Sequence, residues 1–279
     1  MRVRSVTAYL LTVALVCTLV HPSTMLAGPT LTTKTIAEWD AYIALTERRI
    51  DAELRLATVP PRSDLALLKT SKIQIDPQTT PGSKGKDISD GAIHHWLGAV
   101  FIPNVNLKTV IPWLQKYEQY RPYFKDVEES KELSRSGDTF DIFLRLTRSK
   151  FGVTARFNTK HHVVYTPKGS SFVSSASKST EILQVKDAGA SPETLYPLGD
   201  DAGYLWRLNS YWRFTERDGG VVVECETVGL SRSLGLAYGF LNLISLGKVR
   251  RAANSIAREA LEATLTDLRN GIKGGKPVR

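Results

Sequence analysis

The sequence predicts an α+β fold in which a curved antiparallel sheet wraps around a long C-terminal helix, with a further helix ahead of the sheet. Three observations carry this. After residue 91 the order of segments is strand, helix, a long run of extended segments and a final helix. Within that run, Asp218-Gly219 is a two-residue type I′ turn signal flanked by alternating residues, which marks an antiparallel hairpin. Residues 249–271 recur with helical period and end at Gly271 and Gly274-Gly275.

The elements follow in order along the 279 residues. Residues 1–27 are read as a secretory leader: Arg2 and Arg4 open it, Ser5 to Val20 is apolar without a charge, and Ala27 offers a small residue for cleavage. Residues 28–91 form an N-terminal accessory helix and linker. Thr35 and Glu38 have capping-box spacing, and Ile36, Trp39, Ile43, Ile50 and Leu54 recur near helical period, so a helix is expected over 35–56 with Thr35 as N-cap. Pro60-Pro61 closes it, Lys72 to Ile75 reads as a short strand, and Asp76 to Gly91 as a loop and internal boundary.

Residues 92–102 read as a strand, and Asn106 caps a helix over 106–118 with Leu107, Val110, Ile111, Leu114 and Tyr117 on one face. Tyr120 to Phe124 form an aromatic corner. Extended segments follow at 128–135, 139–149, 151–166, 171–186, 203–217 and 220–232. Centring the hairpin on Asp218-Gly219 pairs Arg217 with Gly220, Phe214 with Val223, Arg213 with Glu224, Trp212 with Cys225, Tyr211 with Glu226 and Ser210 with Thr227. Strand alternation then puts Tyr204, Trp206, Leu208, Ser210, Trp212, Phe214, Val223, Cys225 and Thr227 on one face. Arg207, Asn209, Tyr211, Arg213, Glu224 and Glu226 lie on the other, with Arg213 expected to pair across the strands with Glu224. The final helix presents Ala253, Ile256, Ala257, Ala260, Leu261, Thr264, Leu265 and Leu268, a broad face half of which is Ala or Thr. Residues 273–279 form a basic tail.

The composition is globular, with 42% hydrophobic, 23% charged and 9% aromatic residues, which excludes collagen-like, low-complexity and disulfide-stapled classes. The 37 Lys and Arg exceed the 28 Asp and Glu by +9, and losing Arg2 and Arg4 with the leader lowers the excess by two. The basic residues are scattered rather than gathered into an aromatic-interleaved stripe, so no nucleic-acid partner is expected. Beyond the leader only Cys225 remains, a small hydrophobe within a Val-rich strand. His94-His95 and His161-His162 are strand neighbours pointing to opposite faces, so neither pair chelates one metal. With no zinc spacing, phosphate loop or nucleophile elbow, neither metal nor cofactor is expected.

The element order, with the strand Ala92–Phe101, the helix 106–118, the stretch Tyr204-Leu205-Trp206-Arg207-Leu208-Asn209-Ser210-Tyr211-Trp212-Arg213-Phe214 and the helix 249–271, resembles the START-like helix-grip superfamily. That group contains lipid-transfer domains, polyketide cyclases and aromatases, pollen-allergen proteins and coenzyme Q-binding proteins. The resemblance covers residues 92–272. It implies a curved sheet gripping the last helix with an apolar cavity between them.

Three readings follow. In the first, an exported protein binds or carries a hydrophobic small molecule of lipid, isoprenoid, quinone or polyketide-like class. The wall would be Tyr204, Trp206, Leu208, Ser210, Trp212, Phe214, Val223, Cys225 and Thr227 against Ile256, Ala257, Ala260 and Thr264. The apolar segment Leu234 to Gly247, ahead of Lys248-Val249-Arg250-Arg251, would be its portal, with Tyr238, Phe240, Leu241 and Leu243 in transient contact with an anionic membrane surface. In the second, an enzyme of cyclase, hydratase or hydrolase type uses Arg207, Asn209, Tyr211, Arg213, Glu224 and Glu226 as a polar pocket; the bland alternative makes that face a solvated one. In the third, the chain is a cavity-free structural or interaction domain. The expectation is the carrier.

Overall fold

A computed structural model describes residues 31–56, 58–59, 61–150, 153–233 and 243–275. The chain begins with α1 (Thr33–Leu54) and a short α2 (Leu65–Leu68), then β1 (Gln74–Pro77), β2 (Asp87–Ile88) and β3 (Gly91–Pro103). After α3 (Leu107–Leu114) and a 3-10 turn at Tyr117–Gln119 come β4 (Val127–Ser136), β5 (Thr139–Lys150), β6 (Val153–Lys168) and β7 (Phe172–Gln184). The chain closes with β8 (Arg207–Arg217), β9 (Gly220–Arg232) and α4 (Leu243–Ile272). Among the described residues the strands form one antiparallel sheet in the order β1-β3-β9-β8-β7-β6-β5-β4, with β2 also paired to β3. The α+β arrangement of sheet and terminal helix is therefore as the sequence predicts.

The hairpin forms in the expected register. Arg217 pairs with Gly220, Phe214 with Val223, Trp212 with Cys225 and Ser210 with Thr227. Asp218 and Gly219 both take positive φ, 53° and 75°, as a type I′ turn requires.

Alternation along these strands defines two faces. On one side Val100, Ile102, Val221, Val223, Cys225 and Phe214 pack with Leu261, Leu265 and Leu268 of α4 and with Leu107, Val110 and Leu114 of α3. Gly98 lets α4 approach: a Cβ there would stand 2.6 Å from Leu265 Cδ1.

The other side is also covered. Trp39, Tyr42, Ile43 and Ile50 of α1 pack on Ile93, Tyr211, Val228 and Leu230, with Trp206 in the same cluster. Leu68 of α2 seals Ala99, Phe101 and Val222. Burying four large α1 side chains at about 1.5–3 kcal/mol each makes α1 a structural layer rather than an appendage. The sheet thus carries helices on both faces.

Several boundaries differ from the sequence reading. The N-cap of α1 is Thr32, whose side chain accepts from the Thr35 amide. Thr35 and Glu38 serve another purpose: Thr35 Oγ1 donates to the Ser89 carbonyl at 2.8 Å, and Glu38 accepts from the Ser89 amide at 2.7 Å. A Thr at both positions made the capping pattern ambiguous by one turn. The first strand lies at Gln74–Pro77 rather than 72–75, and part of the expected loop 76–91 pairs with β3. The α3 helix stops at Leu114, and the apolar period continues through the 3-10 turn, which buries Tyr117.

Candidate functional site

On the α4 side, the hairpin residues expected to line a ligand wall share a face, with two exceptions. Two rows cross the sheet there. Val163, Ser177, Ser210, Thr227 and Trp96 lie side by side across β6, β7, β8, β9 and β3, and Tyr165, Ser175, Trp212, Cys225 and Gly98 form the neighbouring row. Their burial is graded. Phe214, Val223 and Cys225, nearer the turn, are closed into the core, and burial pushes the Cys225 thiol well above its usual range. Leu208, Ser210, Trp212, Thr227 and Trp96 are only half-buried.

The facing helix repeats the gradient. Leu261, Leu265 and Leu268 are buried, whereas Ile256, Ala257, Ala260 and Thr264 are half-buried. The Thr264 hydroxyl donates to the Ala260 carbonyl at 2.9 Å and so is spent on its own helix. Trp212 stacks parallel to Phe214, with ring centroids 6.0 Å apart.

The exceptions are Tyr204 and Trp206. Trp206 precedes β8, where alternation no longer governs direction. It lies in the α1-side cluster, 1% exposed, with Nε1 donating to Asp201 at 3.0 Å. Tyr204 is 46% exposed. Neither belongs to the α4-side wall. Tyr238, Phe240 and Leu241 lie outside the described residues, as do residues 1–27, read from the sequence as a leader; Leu243 is described only as the first residue of α4.

The polar face is neither solvated nor turned toward α4. Asn209, Tyr211, Arg213, Glu224 and Glu226 are buried beneath α1 and the segment that follows it, and Arg207 is half-buried. Although Arg213 and Glu224 stand opposite one another, each is engaged elsewhere. Arg213 bonds Glu53 of α1, and Glu224 accepts from the Arg62 amide and the Ser63 hydroxyl, both at 2.7 Å. Tyr211 donates to Glu47 at 2.7 Å.

Glu226 is the hub of this layer. It takes Arg49, Arg62 and His95 Nε2, the last at 2.6 Å, while His95 Nδ1 meets the Tyr42 hydroxyl at 2.7 Å. A carboxylate at Nε2 requires the proton there, so Nδ1 accepts from Tyr42. Burial alone would raise the Glu226 pKa, but the His95 hydrogen bond and the Arg62 and Arg49 charges outweigh it and hold the carboxyl at about 2. Burial lowers His95, with Glu226 opposing it. This constellation joins α1 to the sheet. Tyr211 and Arg213 also border a groove of about 230 Å³ beside Glu47, Ile50 and Leu54 of α1; among the described residues neither Glu224 nor Glu226 lines it.

The sequence reading missed that this face had a cover. The signal was present: Val221-Val222-Val223 is apolar on both strand faces, which marks a strand buried on both sides. It named His161 only as one of a pair unable to chelate a metal. Neighbouring histidines do diverge, with His161 4% exposed on the α4 side and His162 exposed opposite, bonded to Asp141 at 2.8 Å.

Comparison with known proteins finds similarity to several solved structures. A STAR-related lipid transfer protein from Xanthomonas axonopodis is 17% identical, with 67% of this chain and 96% of that chain covered and a TM-score of 0.45. An aromatase/cyclase from a Streptomyces species is 14% identical over 65% of this chain and 94% of that one, with a TM-score of 0.42. A START superfamily protein from Mycobacterium smegmatis is 12% identical over 65% and 98%, with a TM-score of 0.41. No family model matches the sequence, and no curated protein matches it significantly.

Proposed function

We propose that the protein binds and carries a hydrophobic small molecule between the α4-side face of its sheet and α4. One observation carries the reading: Trp96, Leu208, Ser210, Trp212 and Thr227 on the sheet, and Ile256, Ala257, Ala260 and Thr264 on the helix, are all left half-buried on faces that elsewhere close into a core. In this reading the small helix side chains Ala257 and Ala260 would admit a guest beside the indole rings, which burial would hold at about 25 cal/mol per Å² of apolar area. The enzyme reading loses support because Arg213 and Glu226 are committed to α1 and the segment after it, and Glu224 to that same segment.

The test is binding of the neutral fluorescent probe N-phenyl-1-naphthylamine, with solvent extraction and mass spectrometry of protein purified from its own host. A co-extracted lipid, quinone or polyketide, displaced by the probe and excluded by Ala260→Trp, is expected. An empty protein that gives the probe no protected site overturns the reading.

The carrier works outside the cytoplasm in this proposal, on the leader read in residues 1–27, and the mature protein is expected to begin at Gly28. The segment 234–247 would form its portal and touch anionic membrane. Equal co-sedimentation of wild type and Phe240→Asp/Leu243→Asp with anionic liposomes would remove that role.

A further inference from the structure

His161 carries an asymmetry that the packing leaves open. It sits on β6 on the α4 side of the sheet, directly opposite Ile142 on β5 and Ser179 on β7. Its Nε2 lies 3.0 Å from Thr159 Oγ1. The Thr159 hydroxyl has one proton, and it donates that proton to the Leu144 carbonyl at 2.9 Å. Thr159 can therefore only accept from His161, which fixes the imidazole proton on Nε2. Nδ1 is left as a lone-pair acceptor, buried and without a hydrogen-bond partner among the described residues. A buried acceptor left unmet costs about 1–3 kcal/mol, so its persistence calls for an occupant.

The surroundings restrict what that occupant is. Ser179 Oγ accepts from the Leu208 amide at 3.0 Å, tying the neighbouring strand position to the backbone. Ser177 and Ser210 continue the polar strip toward the half-buried Thr227 and Trp96. Burial lowers the His161 pKa to about 4, so the ring is neutral at physiological pH and attracts no anion through charge.

We infer that the hydrophobic guest bears a hydroxyl group at its buried end and donates it to His161 Nδ1, the Thr159–Leu144 relay fixing the ring in the accepting tautomer. This deepens the carrier reading and rests on it: a long apolar alcohol is selected over its ether, ketone or carboxylate counterparts, which have only acceptors to offer.

The experiment measures displacement of bound N-phenyl-1-naphthylamine by dodecan-1-ol, 1-methoxydodecane, dodecan-2-one and dodecanoate. Dodecan-1-ol should displace the probe at about tenfold lower concentration than the ether, the usual effect of one buried hydrogen bond. His161→Phe should abolish that preference. Thr159→Val frees the tautomer and should narrow the preference for dodecan-1-ol over dodecan-2-one. Should either variant fail to fold, nitrogen NMR of the wild-type imidazole decides: Nε2 should carry the proton throughout, and only Nδ1 should shift when dodecan-1-ol binds. Probe binding with equal displacement by alcohol and ether overturns this inference and leaves the carrier standing. Absence of probe binding overturns the carrier, and this inference falls with it.

Discussion

Arg213 and Glu224 face each other directly across β8 and β9, yet each turns to a residue about 160 positions away in sequence, Arg213 to Glu53 and Glu224 to Ser63. A pairing that would have been a modest cross-strand contact becomes two anchors for a separate layer. The outer side of the sheet is consequently held by charge as well as by the apolar contacts of α1.

Glu226 anchors that layer most heavily. Removing its charge in Glu226→Gln leaves Arg49 and Arg62 without their shared anion, and breaking a buried pair costs about 3–5 kcal/mol. Urea unfolding should show a correspondingly lower midpoint with little change in slope. A loss under 1 kcal/mol would mean that solvent replaces the carboxylate freely.

The close packing of α4 on β3 at Gly98 is equally testable. In Gly98→Ala the new methyl meets Leu265 Cδ1 at 2.6 Å and Leu261 at 2.9 Å, and overpacking of this kind costs about 1–3 kcal/mol. Thermal unfolding followed by circular dichroism should report it. An unchanged melting temperature would show that α4 can lift without penalty.

Stability should also fall on mild acidification. The unfolded His161 ring takes its proton near pH 6.5, the folded one only near 4, so the unfolded chain binds more protons across that interval. Stability should decline as the pH drops through it, by on the order of 3 kcal/mol at 1.36 kcal/mol per pKa unit. His95, also lowered by burial, adds in the same direction. Glu226 acts further down: its contribution is complete above about 4.5 and disappears as the pH falls through about 2. Urea midpoints at pH 7, 5.5 and 4.5 test the sign, and His161→Gln should flatten the upper part of the curve.

Trp39→Ala should cost about 3–5 kcal/mol, since this residue is 3% exposed at the centre of the α1 contact. Where α1 loosens, Trp206 meets water, and its emission should move to the red before global unfolding. Emission that changes only with global unfolding would show that α1 and the sheet part as one unit.

The hairpin was legible because Asp218-Gly219 sets its register by turn chemistry alone, and each following pair is forced by it. The terminal helix was legible over 249–271 from its period and its glycines, whereas its start at Leu243 falls within the segment 234–247 expected as a portal. Alternation was less informative about surroundings: it separates two faces but does not say whether the second meets water or another helix, so Glu224, Glu226 and Arg213 read as a solvated surface. Trp206 failed for a different reason, since alternation holds only within a strand and this residue lies just before one. His161 stayed hidden because Thr159 and Leu144 fix its proton across strands whose pairing a single sequence does not display.

The long reach of the α1 anchors has a temporal consequence. Arg49 and Glu226 are separated by 177 positions, so the helix made first must wait for a surface completed almost last. Until β9 is synthesised, Trp39, Tyr42 and Ile43 lack the Val228 and Leu230 part of their native surface, and contacts this distant in sequence slow folding. The exposed apolar face of α1 must therefore stay covered or unpaired while the rest of the polypeptide emerges, a window in which such surfaces invite association.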